Sequence, residues 1–495
     1  MIPWYAADKV RALDEKLICS GVSGLELMER VGNGIADFIV REISPKSVLI
    51  CAGAGNNGGD GFVIARLLNK RNVRVTVILS HGAERSRGDA GVSLKKLLAS
   101  GITVLVSAEI DDEKLAWLCA EHEIIVDALL GTGASGSPRG ETARLIDMIN
   151  ARRCGKGVLA VDMPSGIEGD GACIQAQWTC TAAARKLPCA TGRGAAVCGR
   201  IMLVPLDERA GAFLAPAEAY EAEASDIASM LPVRREDDHK GSRGGVLIVA
   251  GSERYRGAAL LTARGALRAG AGLVVLASRE SVLDALVPTL PEAIAEPLRE
   301  PSDLKTVMDR WRKRCSALVV GPGLDRDEFA RRVSHMAAHW SGRSLWDGDG
   351  LYWLAHENLI PADFCVTPHE GEAAVLLGEK GISRDRFLTV HSLADKGCGV
   401  LLKGYRSLVA EGDEAPLIIP RGNRALSIPG SGDVLSGVCG AFLAAGLGRK
   451  QALALGAWCH GAAGERLGAE RGLDGILARE VADTVPIILK ELRDS

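Results

Sequence analysis

From residue 47 onward, short apolar runs alternate with stretches whose apolar positions recur at helical spacing. The runs SVLICAG (47–53), VRVTVILS (73–80), ITVLVS (102–107), EIIVDALLG (123–131) and GVLAVDMPSG (157–166) read as strands. Segments such as Phe62 to Lys70 and Ala90 to Ala99 read as the helices between them. Before this region, Trp4 to Gly34 reads as helical, with Leu25, Leu27, Met28 and Val31 on one face and Gly32 and Gly34 ending it. Strands that are apolar throughout, each followed by a helix, predict a parallel sheet covered on both faces. After Gly166 the pattern fades, and QAQWTCTAAARKLPCATGRGAAVCGR reads as an irregular tail. Residues 211–240 read as a solvated linker helix ending in a prolyl turn and a charge cluster. At His239 the alternation starts afresh.

In that second half, HKGSRGGVLIVAGS places a glycine-rich loop before a strand, and RGAALLTARGALRAGAGLVVLAS supplies a helix and another strand. Ala258, Ala259, Leu261, Thr262 and Gly265 form a small-residue face, suited to close packing against sheet or ligand. GVLLKG (399–404) and SLVAEG (407–412) read as paired strands with Lys403 at their turn.

The length, 495 residues, suggests two to four domains at roughly 150 residues each. A net charge of −3, from 59 basic and 62 acidic residues, gives no bulk attraction to nucleic acid. The N-terminal MIPWYAADKVRALDEK carries charges where a signal peptide needs an apolar core, and no apolar run reaches the length of a membrane span. A cytoplasmic protein is expected. Thirteen cysteines form no CxxC pair, and Cys51, Cys365 and Cys439 lie inside apolar runs, so buried thiols are expected rather than disulfides or zinc.

Chemistry concentrates in loops at the carboxyl ends of the strands, where sites form in parallel sheets. GAGNNGGDGF (53–62) contains the spacing of a dinucleotide fingerprint, but the next strand closes with Ser80 and His81 instead of a ribose-binding acid, which argues against a dehydrogenase. Asn56, Asn57 and Asp60 instead place polar side chains among glycines. Asp127, inside an apolar strand, needs a cation or donors to offset its burial. The glycines and hydroxyls of GTGASGS after it suit a diphosphate. Asn57, Asp127 and Ser165 carry hard oxygens, which suit an alkali or alkaline-earth ion. In the second half, GPGL (321–324), Asp347 and Asp349, TPHEGE (367–372) and LLKG (401–404) end strands. Asp347 and Asp349 either organise magnesium through waters or terminate a strand. IPGSGDVL (428–435) reads as a loop opening onto a helix N-terminus, a cradle for phosphate oxygens, with Asp433 placed to accept a proton.

GNNGGDGF, DALLGTGASG and VDMPSG, in this order, resemble the NAD(P)H-hydrate epimerase domain over residues 1–215. The resemblance implies that Asn56, Asn57, Gly58, Gly59 and Asp60, with Gly131, Thr132, Gly133, Ala134, Ser135, Gly136 and Ser137, contact the hydrated nucleotide. It places Asp162 at the reacting ring and a potassium ion on Asn57, Asp127 and Ser165. Lys186 matches a lysine of that family. HKGSRGGVLIVAGS, GPGL, TPHEGE, LLKG and GSGDVLSG resemble the ribokinase-like ADP/ATP-dependent NAD(P)H-hydrate dehydratase domain over 225–495. It implies that Gly430, Ser431 and Gly432 hold a transferred phosphoryl group and that Asp433 accepts the hydroxyl proton. Lys403, Gly404, Tyr405, Arg406 and Ser407 would hold the adenine nucleotide, and Ala259, Gly323 and His369 the hydrate. Asp325 stands where the family often has glycine after GPGL; its side chain narrows the hydrate pocket unless the loop bends away.

Together the halves resemble the bifunctional NAD(P)H-hydrate repair enzymes. The implied fold is α/β: a Rossmann-like three-layer parallel-sheet domain followed by a ribokinase-like α/β domain. The implied chemistry is interconversion of the R and S C6 hydrates of NADH and NADPH, then dehydration of the S form. ADP is the expected phosphoryl donor, with ATP as the alternative, alongside Mg2+ and K+. A homo-oligomer is expected, and no nucleic-acid or membrane partner. The competing reading is a ribokinase-like kinase of a vitamin alcohol with a fused nucleotide-binding module.

Overall fold

The computed structural model describes every residue except 135, 152–154, 360, 362 and 495, and the side chains of all these but 286 and 287. It divides into two compact units, residues 3–218 and residues 219–494 with Met1 and Ile2.

In the first unit, seven strands form a parallel sheet. In chain order after β1 (Ile2–Tyr5), they are β2 (Ser47–Ala52), β3 (Arg74–Leu79), β4 (Thr103–Val106), β5 (Ile124–Ala128), β6 (Gly157–Val161) and β7 (Trp178–Ala182). A two-residue β8 (Arg185–Lys186) and then β9 (Arg200–Val204) follow. The spatial order is β4-β3-β2-β5-β6-β7-β9, and every neighbouring pair runs parallel. The order reverses between β2 and β5, so their carboxyl ends open a crevice there. All six residues of β2 are buried, as expected of a strand covered on both faces.

Three expectations need correction. Residues 4–34 are not one helix: Trp4 lies in β1, which pairs with β8, and helices Ala7–Cys19 and Gly24–Phe38 follow. Gly32 and Gly34 do not end the second helix. A Cβ at Gly32 would run into Val63 and one at Gly34 into Val204, so these glycines allow close packing. The tail after Gly166 is structured: β7 and β9 form the edge of the sheet, β8 pairs with β1, and helix Gly192–Cys198 comes between β8 and β9. The linker is no helix either: it contains β10 (Ala219–Glu221) between the short helices Ala210–Phe213 and Ala224–Ala228.

The second unit continues through β11 (Gly245–Val249), β12 (Leu273–Ser278), β13 (Ile294–Pro297), β14 (Ala317–Val320), β15 (Arg343–Trp346) and β16 (Phe364–Val366). It closes with β17 (Gly399–Leu402), β18 (Ser407–Glu411) and β19 (Leu417–Ile419). The order is β13-β12-β11-β14-β15-β16-β17-β18-β19-β10. The sheet is parallel up to β17, the β17–β18–β19 pairings are antiparallel, and β10 joins β19 in parallel. Helix Ser431–Ala444 carries the GSGD loop into the core, where all its residues from Val434 to Ala444 are buried. The small-residue face of helix Arg256–Arg268 packs closely against this helix, and the helix also rests on β11 and β12. A Cβ on Gly265 would meet the Val434 carbonyl, and one on Gly437 the Thr262 carbonyl. Cys51, Cys365 and Cys439 are buried thiols.

Candidate functional site

The first unit has a cavity of about 760 Å³ at the carboxyl ends of its strands. Asn56, Asn57 and Asp60 reach it from the start of helix Asn56–Lys70, Gly131 to Ala134 from the loop after β5, and Asp162 from the end of β6. Gly58 and Gly59 are buried beneath: a Cβ on the former would strike the Gly53 carbonyl, and one on the latter Met28. The structure does not bring Gly136 and Ser137 to the cavity lining; the Ser137 hydroxyl accepts from the N–H groups of Asp170 and Gly171 (3.0 and 3.1 Å). Ser135 lies outside the described residues.

Asp162 adopts φ +70°, a left-handed conformation that aspartate tolerates better than most residues. Its Oδ1 lies 2.6 Å from Lys186 Nζ, and its Oδ2 accepts from the Thr132 N–H at 3.3 Å. Lys186, 2% exposed, is also held by Thr181 Oγ1 (2.8 Å) and the Ala182 carbonyl (3.0 Å). β8 therefore exists to deliver a buried ammonium group to Asp162. Burial pushes the Asp60 carboxyl well up, and the charges of Asp162 and Asp14 add to this.

Asp127 is fully buried. Its oxygens accept from the Ser165 hydroxyl (2.6 Å), the Ser165 N–H (2.8 Å) and the Leu129 N–H (3.2 Å). Burial still pushes its carboxyl up to about 6, against the pull of those donors. Gly131 sits against the Asn57 side chain, whose amide nitrogen is buried without a hydrogen-bond partner. A buried, unpaired amide at a cavity marks a place for a ligand.

In the second unit a cavity of about 710 Å³ is lined by His369, by Lys403 through Ser407, by Arg421 through Arg424, and by Ser431 and Gly432. Gly430 takes φ +84° as the N-cap of helix Ser431–Ala444, so the expected loop-to-helix cradle is present. Asp433 lies in that helix's first turn. Burial pushes its carboxyl up to about 6, and Asp347 and Asp349 add to the effect while Lys403 opposes it. Lys403 Nζ lies 2.7 Å from Asp347 and 3.6 Å from Glu372. Burial alone would lower the lysine, but these carboxylates prevail and raise it. Asp347 also accepts from the Ser436 hydroxyl at 2.7 Å. It thus joins the strand end, the lysine turn and the GSGD helix. Its position at a strand end hid this from the sequence.

His369 caps helix Glu370–Leu377: its Nδ1 accepts from the Gly371 and Glu372 N–H groups, and Glu372 accepts from the His369 N–H in return. Its Nε2 remains on the exposed side, at the cavity. Gly323 takes φ +60°, in a tight approach to Tyr255 and Ala258. Ala259 is fully buried, next to where a Gly251 side chain would lie, and is not brought to open surface. Asp325 adopts the glycine-like φ of +75°, its N–H held by Asp349 at 2.9 Å.

Two buried residues escaped the sequence reading. His460 Nε2 lies 3.1 Å from the Ser431 hydroxyl and shares a hydrogen bond with it, and burial pushes the imidazole down to about 4, so the ring is neutral. Arg386 donates to the Leu402 and Lys403 carbonyls (3.2 and 3.1 Å) and pairs with Glu370, fixing the lysine turn. Their only sequence signal was a polar residue among apolar ones, shared by many core positions.

Fold and cavities define a two-unit α/β protein, one unit with a Rossmann-like crevice and the other ribokinase-like. A solved ribokinase-like superfamily protein from Enterococcus faecalis superposes on 56% of this chain and 98% of its own (TM-score 0.51, 21% identity), which shows the second fold. The family model described as NAD(P)H-hydrate dehydratase matches residues 246–487, and that described as YjeF-related protein N-terminus matches 24–188. Two relatives, each named bifunctional NAD(P)H-hydrate repair enzyme, span nearly the whole chain. That of Thermanaerovibrio acidaminovorans is 36% identical, covering 99% of both chains; that of Coxiella burnetii is 33% identical, covering 96% of this chain and 97% of its own. The chain belongs to the bifunctional NAD(P)H-hydrate repair enzyme family.

Proposed function

We propose that this protein repairs hydrated NADH and NADPH: residues 1–215 interconvert the R and S C6 hydrates, and residues 225–495 dehydrate the S form with ADP, giving AMP and phosphate. The observation that carries this reading is similarity over nearly the full chain at 36% identity, with a cavity in each unit, lined by Asp162 in the first and by Ser431 and Gly432, the residues just before Asp433, in the second.

The hydrate's C6 hydroxyl is a poor leaving group, and phosphorylation turns it into a good one. Asp433, buried and beside the helix N-terminus, accepts the hydroxyl proton as the oxygen attacks the terminal phosphorus of ADP. The N–H groups of Gly430, Ser431 and Gly432 and the helix dipole stabilise the transferred phosphoryl charge. Lys403, a short step from Gly432, adds positive charge there, and His460 orients the Ser431 hydroxyl. Residues 404–407 hold the nucleotide, while Gly323 and His369 meet the hydrate. Phosphate then departs and the ring double bond re-forms. Magnesium bound with the nucleotide supplies further charge to the phosphates. Asp347 and Asp349, held by Lys403 and the Asp325 N–H, would lie among the carboxylates able to reach that ion through water.

In the first unit Asp162, oriented by Lys186 and Thr132, is the proton-transfer group at C6. The residues fit a potassium ion: Asp127 is a buried carboxylate with no cationic partner among the described residues, and Ser165 and Asn57 carry neutral oxygens that would complete the set. Bound there, potassium would offset the buried charge of Asp127.

The test mixes the protein with both epimers of hydrated NADH, magnesium and either ADP or ATP, and follows the near-ultraviolet absorbance of the restored dihydropyridine. Recovery beyond the share of one epimer is expected, faster with ADP. No recovery with either nucleotide would overturn the reading in favour of a small-molecule kinase.

A further inference from the structure

The cavity of the first unit contains a carboxyl group with no assigned part. Helix Ala7–Cys19 presents Val10, Arg11, Asp14 and Ile18 to it, positions that share one helical face. Arg11 Nη1 donates to the Thr132 carbonyl at 2.5 Å, and the Thr132 N–H donates to Asp162. The helix is thereby tied to the loop that orients Asp162. Asp14 itself makes no hydrogen bond or ion pair with the described residues. Burial pushes its carboxyl up to about 6; Asp162 and Glu15 add to this, and Lys186 opposes it. Asp14, Asp60, Asp89 and Asp162 all open onto this cavity, and Asp14 and Asp162 do so in opposite circumstances. Asp162 is ion-paired and hydrogen-bonded, whereas Asp14 is unpartnered among the described residues. A carboxyl left unpartnered and partly buried beside one held by a lysine suits a proton donor next to an acceptor. The unpaired Asn57 amide in the same cavity independently marks it as a place for a ligand.

We propose that Asp14 is a second catalytic residue of epimerisation, the proton donor that works with Asp162 at C6 of the hydrated ring. This rests on the epimerase reading of the first unit. Asp14 protonates the C6 hydroxyl as the C–O bond breaks. The N1 lone pair closes an N1–C6 double bond, and water leaves. A water molecule adds to the opposite face of C6, its oxygen lone pair forming the new bond, the N1–C6 π pair returning to N1 and its proton passing to the Asp162 carboxylate. Asp14 is left as carboxylate and Asp162 protonated; the reverse reaction uses them in the opposite roles, and exchange with solvent resets the pair. The other charged or titratable groups facing the cavity are Arg11, Asp60, His81, Arg85, Asp89 and Lys186.

The test uses the full chain without ADP, so that dehydration cannot drain the S hydrate, and follows R-to-S conversion by chromatographic separation of the epimers. For Asp14→Asn, kcat should fall by about 100-fold or more with KM little changed. The wild-type rate should decline as the pH rises through the range where Asp14 loses its proton, about 6 and above, and Asp14→Asn should lose that limb. Asp14→Glu should recover part of the rate. Dehydration of pure S hydrate by Asp14→Asn should equal wild type, showing an intact chain. A wild-type kcat and pH profile in Asp14→Asn would overturn the assignment, as would a loss confined to KM. Failure of the wild-type protein to interconvert the epimers would instead overturn the epimerase reading.

Discussion

At the scale of single residues, the chemistry follows from where carboxylates are held. Asp433 must be unprotonated to accept a proton, and burial beside Asp347 and Asp349 places its titration at about 6. Dehydration should therefore fall roughly tenfold per pH unit below that point, because the carboxylate fraction does. Asp433→Asn keeps the shape of the loop while removing the base. It should cut turnover by about 10²–10⁴ and leave ADP binding by calorimetry unchanged; turnover near the wild-type rate would sink the general-base role. Asp433 and Asp127 stood out in sequence because a carboxylate among glycines or apolar residues needs a reason, whereas Asp162 was singled out through the resemblance of its VDMPSG loop. Asp14 and His460 were not. Asp14 sits in a run of charges typical of an exposed helix, and His460 in a small-residue helix where a histidine has many structural uses.

At the scale of elements, packing explains where the pattern misled. Glycine was read as a helix stop at Gly32 and Gly34, yet each lies where a neighbouring side chain leaves no space for Cβ. The same contact type sets the phosphate cradle. Gly437 of the GSGD helix lies against the Thr262 carbonyl of helix Arg256–Arg268, and Gly265 answers it with Val434. Gly437→Ala should push the two helices apart and cost about 1–3 kcal/mol, even though alanine favours the helix itself. A melting temperature lower by several degrees, with weakened dehydration, is the expected result; unchanged melting would show that the contact does not limit how closely the helices pack. The stretch from Gln175 to Arg200 defeated pattern reading for a related reason. Its strands are short and contain threonine, cysteine and alanine, so no apolar run announces them, and only the neighbouring strand makes them a sheet edge.

At the scale of the whole molecule, each unit has its own sheet, core and cavity, and the substrate of one is the product of the other. Asp162→Asn should abolish epimerisation while sparing dehydration of the S hydrate, and Asp433→Asn the reverse. Mixing the two variants should restore conversion of both epimers, measured by the absorbance of recovered NADH, because the hydrate diffuses between them. A mixture that recovers only the S share would refute two independent sites. The sequence by itself determined the alternation of strand and helix, the loops at strand ends and the type of chemistry, because periodicity, glycine placement and isolated carboxylates are local properties. Only the tertiary structure decided which groups meet: Lys186 with Asp162, Asp347 with Lys403 and Ser436, His460 with Ser431, and Asp14 with the epimerase cavity. These partners lie on different elements, and a charge's environment depends on what surrounds it in space rather than along the chain.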